Sequence, residues 1–330
     1  MTSTHARASR APAPQRRTTW RLVATILLGT AGCAAAVACS DVEPTATPPS
    51  VRPLAAGADV SAAAKPDQSL IAYASGRAGI SDLYIMDIAN GRSHWITRDR
   101  ANAWSPAWSP GGTMIAFASN RDALGVNIWV VPSAGGTPVK YTQSGATSPD
   151  WSSDGTRIAF ASYRDGTTDI WVMNADGTGQ TRLATTSDAW ESEPVWSPDG
   201  TKIAYSSARG GSTQIWVMNA NGSSPVQLTG LTDVGTSFSP AWSPDGTKIA
   251  FASFRNGGQD LYVMNADGTG LTRITNGGPA ESRPRWSTRG IVFDANASGT
   301  PAIYLVNPDG TGLTQLTRGS SWSYNAAWKP

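Results

Sequence analysis

Six short stretches built around a tryptophan divide this chain: "SPAWSP", "TSPDWSS", "SEPVWSPDG", "SPAWSPDG", "RPRWS" and "NAAWKP". Their tryptophans are Trp108, Trp151, Trp196, Trp242, Trp286 and Trp328, at spacings of 43, 45, 46, 44 and 42 residues. A period of about 40–45 residues with several short strands per unit is the signature of propeller blades. The last stretch stops at Pro330, whereas each earlier one runs on through a turn into "IAF", "IAY" or "IVF". Its missing half is at the other end of the folded part. Joined to "DQSLIAY" from Asp67, "AWKP" reads position for position like "AWSPDGTKIAF". One blade is therefore split between the two ends, with the cut in a hairpin turn. Such a closed ring leaves no long exposed sheet edges.

A full unit, Ala241 to Thr275, divides into four strands. The first ends at Trp242; the second is Lys248 to Ser253, the third Asp260 to Met264 and the fourth Leu271 to Thr275. Pro, Asp and Gly in "SPDG" and "NADGTG" occupy the positions that tight turns require, with Gly taking the positive φ. Strand positions are β-branched or aromatic ("IAF", "IWV", "LYV"), which suits pleated surfaces covered on both sides by neighbouring blades. The expectation is an all-β fold: a six-bladed propeller of four-stranded antiparallel blades, closed by the C-terminal strand.

Before the repeats lie two other regions. Residues 1–39 read as an export signal, "RRTTWRLVATILLGTAGCAAAVACSD", with a basic start, an apolar run and small residues before a cysteine. The chain has two cysteines, Cys33 and Cys39, both in this region. Polar sequence begins directly after Cys39, which makes it the expected lipidation site, with lipidation at Cys33, ordinary cleavage and an uncleaved membrane anchor as the alternatives. Residues 40–66, rich in Pro, Ala and Thr, read as a flexible tether. The propeller is expected over 67–330.

These residues resemble the propeller repeat of the TolB family of periplasmic proteins. The likeness rests on "WSPDGTKIAF", the recurring S-x-R and "IWVMNADGTG" followed by "TR", over residues 67–330. It implies a six-bladed propeller and an envelope location. The sixth copy, "WSTRGIVFDANASG", departs from the pattern, and the α/β domain that precedes the propeller in the family's namesake has no room in the tether.

Charge narrows the function. Residues 1–66 carry seven Lys/Arg and three Asp/Glu, leaving 19 basic and 21 acidic residues in 67–330. That near-neutral, slightly acidic domain lacks the basic field a nucleic-acid binder needs. The folded part holds no cysteine and one histidine, His94 in "SHWIT", expected on an exposed outermost strand. No G-x-S-x-G elbow occurs, so no catalytic set is assembled and no cofactor is expected. Asp176, Asp267 and Asp309 recur at one loop position, and each turn offers one carboxylate where a calcium loop needs several oxygens. They are assigned to turn chemistry, and no metal site is expected. The repeated arginines Arg77, Arg121, Arg164, Arg209 and Arg255 are assigned a shared structural task, such as bonding loop carbonyls.

Antiparallel strands sort the loops onto two faces. The "PDG" and "NADG" turns, nearly identical between blades, share one; the second-to-third turns and the blade-to-blade connections, which differ, share the other. A variable set of loops on a repeated frame is the expected binding surface. Its candidate residues are Trp104, Trp190, Glu191, Glu193, Phe238, Glu281, Arg283, Arg285, Trp322 and Tyr324. Aromatic anchors with mixed charge suit a protein or peptide of the envelope. The alternatives are a glycan- or peptidoglycan-binding module and, behind it, a carbohydrate-active enzyme. A monomer tied to the membrane through its lipid alone is expected.

Overall fold

The computed structural model describes residues 69–330, apart from 78, 100, 123–124, 144, 184–188, 231–234, 277, 279 and 297–298. The expected signal, the tether and Cys39 lie outside the described residues. Among the described residues there are 24 strands in six four-stranded antiparallel sheets.

Blade 1 contains β1 (Leu70–Arg77), β2 (Ile80–Asp87) and β3 (Arg92–Trp95). Blade 2 follows with β4 (Ala103–Trp108), β5 (Met114–Asp122), β6 (Gly125–Pro132) and β7 (Val139–Lys140). Blade 3 is β8 (Ala146–Trp151), β9 (Arg157–Ser162), β10 (Asp169–Asn174) and β11 (Thr181–Arg182). Blade 4 is β12 (Glu191–Trp196), β13 (Lys202–Ser207), β14 (Gln214–Asn219) and β15 (Val226–Gln227). Blade 5 is β16 (Ser237–Trp242), β17 (Lys248–Ser253), β18 (Asp260–Asn265) and β19 (Thr272–Arg273). Blade 6 is β20 (Glu281–Ser287), β21 (Gly290–Ala295), β22 (Ala302–Val306) and β23 (Thr314–Gln315). The final strand, β24 (Trp322–Trp328), is the innermost strand of blade 1, in the order β24-β1-β2-β3.

The split blade therefore closes as the repeat pattern requires. Ile71 pairs with Trp328 and Ala72 with Ala327, and Lys329 N–H donates to the Leu70 carbonyl at 2.9 Å. Ile71, Tyr73, Met86, Ala326 and Trp328 pack against Val292 and Ile303 of blade 6. Each such inter-blade layer is apolar because each sheet is covered on both sides: the second strands β13 and β17 bury five consecutive residues. Tryptophans also tie neighbouring inner strands. The indole N–H groups of Trp108, Trp242 and Trp328 donate to the carbonyls of Ala327, Val195 and Arg285 in the preceding blade, at 3.0–3.2 Å.

Turn chemistry is self-contained. In the first turn of blade 5, Ser243 Oγ and Thr247 N–H both donate to Asp245 Oδ1, at 2.6 and 3.0 Å, and Gly246 adopts φ +71°. Between the third and fourth strands, Thr269 donates to Asp267 Oδ1 through both its N–H (2.9 Å) and its hydroxyl (2.7 Å). Asp176 and Asp309 make the same pair of bonds with Thr178 and Thr311. Each of these carboxylates serves its own turn.

Four of the repeated arginines do a structural task, with a different partner from the one expected. Arg121, Arg164, Arg209 and Arg255 lay their guanidinium groups over aromatic rings of their own blade, at 4.4–5.5 Å from the ring centroids. Arg121, Arg164 and Arg255 also donate through Nε to a serine hydroxyl two residues earlier. The ring face, not a loop carbonyl, is the shared partner. The side chain of Arg77 lies outside the described residues.

Candidate functional site: the central channel and its two mouths

The six innermost strands share a defect that shapes the channel. Each shows a shift of register against its neighbour, a bulge, near its midpoint. At the bulge one residue of each strand takes a left-handed conformation: Ser105, Ser148, Glu193, Ser239, Arg283 and Asn325, with φ between +50° and +55°. None is glycine, so the conformation is strained and held by its surroundings. A bulge re-aims side chains. Here these six residues line a narrow waist of about 20 Å³, room for roughly one water.

Side chains also satisfy the backbone at the waist. Ser239 N–H donates to Glu193 Oε2 at 2.8 Å, and the Ser239 and Ser206 hydroxyls donate to Glu193 as well. Asn325 N–H donates to both oxygens of Asp294, at 2.8 and 3.0 Å. Burial pushes Asp294 up to about 6, against the opposing pull of Arg283 and of the Asn325 N–H.

On the side of the near-identical turns, the waist opens into a bowl of about 410 Å³. All six repeat tryptophans line it, together with Pro110, Pro198, Pro244 and Pro330. Immediately before the tryptophans stand Ala107, Asp150, Val195, Ala241, Arg285 and Ala327. The two charged members, Asp150 in blade 3 and Arg285 in blade 6, are three blades apart in a ring of six and so face each other. Asp150 is enclosed by protein yet open to the lumen. Its Oδ2 accepts the Trp196 N–H at 2.8 Å. Burial pushes Asp150 up to about 6, and Arg285 opposes that rise.

The variable face disperses the residues assigned to it. Trp190 is 65% exposed, beside a fully buried Glu191 whose carboxylate meets Arg209 at 2.6 Å. Glu193 and Arg283 sit at the waist. Arg285 lines both waist and bowl. Glu281 is buried, accepts a hydrogen bond from the Thr275 hydroxyl, and is raised above its ordinary value chiefly by burial. Trp104 packs against the blade 1–2 core and Phe238 against the blade 5–6 core. Trp322 and Tyr324 meet edge to face at 6.4 Å, and the Tyr324 hydroxyl donates to Ser81.

Two further aromatic residues join this face: Tyr163, 52% exposed, and Phe254, 47% exposed. Both stand just before the repeated arginine, in "SYR" and "SFR", where blades 2 and 4 have Asn120 and Ala208. Asp150 and Asp294 were also legible as departures, each an acid where most blades have alanine.

Residues 139–234 and 231–330 match the sequence family described as TolB beta propeller domain, more than half of the chain. No curated protein sequence matches. Among solved structures, the chain is similar to TolB from Acinetobacter baumannii, with a TM-score of 0.71 and 23% identity, covering 79% of this chain and 67% of that one. It is similar to a protein designated TolB from Agrobacterium tumefaciens (TM-score 0.63, 20% identity, 79% and 98% covered). A propeller in a nidogen/laminin complex is also similar, with a TM-score of 0.64, 9% identity, and 79% and 98% covered.

Proposed function

The chain belongs to the TolB β-propeller domain family, and from that premise we propose a non-catalytic scaffold of the bacterial cell envelope that binds a protein partner through its variable face. One observation carries the reading. Tyr163, Trp190 and Phe254 expose large aromatic surface on three consecutive blades, 3, 4 and 5, of that face. Exposed aromatics on rigid loops are what a protein interface uses as anchors. Their supports are firm: Trp190 is followed by the buried Glu191–Arg209 pair, and Phe254 lies 5.8 Å from Phe238. The nidogen/laminin complex supplies an instance of a similar propeller in a protein assembly. The non-catalytic part of the reading is supported by His94, which sits on the outermost strand β3, exposed and away from both channel mouths. Export, and lipidation at Cys39 with residues 40–66 as tether, complete the proposal.

The test captures envelope proteins on the immobilised propeller and compares variants. Trp190→Ala with Phe254→Ala is expected to lose a specific partner, with affinity down more than about tenfold. Asp176→Ser with Asp267→Ser, on the opposite turns, is expected to retain it. The reverse outcome places the site on the wrong face, and retention of glycans alone replaces the partner class. Cys39→Ala is expected to abolish incorporation of labelled palmitate; undiminished label removes Cys39 from the proposal.

A further inference from the structure

The bowl lies on the face opposite the proposed partner surface, and its departures from sixfold symmetry are not scattered. In blades 3 and 6 the residue before the tryptophan is charged, Asp150 and Arg285, where the other four blades have Ala or Val. In the same two blades, Ser153 and Thr288 replace the proline that every other blade places two residues after the tryptophan. In the same two blades again, the tryptophans, Trp151 and Trp286, are half-buried, whereas the other four are buried. Random drift among repeats gives no reason for three changes to coincide on two opposed blades. Together they cut a slot across an otherwise proline-rimmed aromatic bowl, with a half-buried indole and one charge at each end.

We propose that this slot binds a short zwitterionic peptide, its ammonium group toward Asp150 and its carboxylate toward Arg285. The two side chains are held ready for such a ligand. Asp150 uses one oxygen to accept the Trp196 N–H, and no protein hydrogen bond to its other oxygen is made among the described residues. Arg285 donates through Nη1 to the carbonyl of its neighbour Pro284 at 3.1 Å, and among the described residues no ion pair reaches its guanidinium. Among the described residues no hydrogen bond or ion pair joins the two, although Arg285 is near enough to oppose the rise at Asp150. A ligand bearing only an anion would face Asp150 as well as Arg285, and a simple cation would face the reverse. A ligand with both charges and an apolar body between them satisfies both ends and covers the indoles. The volume, about 410 Å³, falls in the range of small-ligand sites. An extended tripeptide places its termini at most about 10 Å apart and can bend to bring them closer. The raised Asp150 carboxyl fits the same reading, since Arg285 offsets its burial only in part and a bound ammonium adds a second cation.

The test is calorimetric titration of the intact propeller at pH 7.5 and low salt, with Ala-Ala-Ala as probe beside its N-acetylated and C-amidated forms. The free tripeptide is expected to bind, and each blocked form to bind at least about tenfold more weakly. Asp150→Asn should erase the penalty of acetylation alone, and Arg285→Gln the penalty of amidation alone. If Asp150→Asn fails to fold, Arg285→Gln with the amidated probe still decides. No binding of the free tripeptide, equal binding of free and blocked forms, or penalties that survive these substitutions overturn the proposal. Trp190→Ala should leave the titration unchanged, which separates this site from the partner surface.

Discussion

The aspartates of the turns and those of the channel wall are the same residue put to opposite uses. At the rim, Asp154, Asp176, Asp199, Asp245, Asp267 and Asp309 are all held below the ordinary carboxylate range, chiefly by hydroxyl and amide donors of their own turns, with Asp245 down to about 2. Asp150 in the channel, and Asp294 behind its wall on β21, are pushed up to about 6 by burial, despite arginines nearby. Solvated donors stabilise the charged form; a protein-walled lumen penalises it. The rim acids are repeated parts of a frame, and the channel acids are single departures from it. Local sequence around a turn predicts the first kind. The second kind follows from what six strands enclose together.

The largest break in this comparison is removal of the strand that completes the wall. Deleting residues 323–330 takes away Asn325, which holds Asp294, and the buried Trp328. Loss of a buried Trp side chain alone costs about 3–5 kcal/mol, against a total stability of about 5–15 kcal/mol. Aggregation or loss of the cooperative melt is expected by size-exclusion chromatography and thermal denaturation. A soluble truncation melting like the parent would show a ring that does not depend on β24.

Next comes pH. A carboxyl raised on folding contributes stability that is present below its unfolded value and lost as pH rises through its folded value, here from about 4 to about 6. The depressed rim acids act the other way and lose their contribution only as pH falls below about 4, Asp245 last. Melting temperature should therefore rise from pH 7.5 to about pH 5 and fall again below pH 4. Asp150→Asn with Asp294→Asn should flatten the upper limb, a difference on the order of 1–3 kcal/mol at pH 7.5. An upper limb unchanged in the double variant means those acids titrate normally.

A smaller effect isolates the rim. Asp199 accepts from the Ser197 hydroxyl and from Thr201, so Asp199→Ala should cost about 0.5–1 kcal/mol by urea denaturation at pH 7, less at pH 3. The smallest is Trp190→Ala. An exposed anchor contributes little to folding, so stability should stay within about 0.5 kcal/mol of the parent while partner binding falls. A large drop in melting temperature would make Trp190 a packing residue.

The frame was legible because each of its parts is local. The "PDG" turns, the alternation of "IAF" and "IWV", and the split between "AWKP" and "DQSLIAY" are short-range statements, and strand β17 spans Lys248–Ser253 as read. The waist was not legible. A residue before proline is biased toward extended backbone, so nothing in "SPAW" or "SEPV" announces a left-handed Ser105 or Glu193. Those conformations come from the bulge, and the bulge from packing six strands around one axis. The candidate residues divided along the same line. Trp190 stands exposed as its loop position suggested, while Glu193 and Arg283 turn inward to the waist because the bulge re-aims them. The meaning of Asp150 needed Arg285, 135 positions along the chain and opposite it only once the ring is closed.

The seam of blade 1 has a mechanical consequence. Strands β1 and β24 are antiparallel, and Leu70 and Lys329 meet at the same end of the pair. Tension applied between residues 69 and 330 falls first on the Leu70–Lys329 bond and then on the Ile71–Trp328 and Ala72–Ala327 rungs, opening the seam like a zip at low force. Tension that enters at residue 69 and leaves through a partner on the far face runs along β1 instead. It then loads the rungs to β2 and β24 in parallel, the direction in which paired strands resist pulling best. The same joint is weak to a pull on its own two ends and strong to a pull across the propeller.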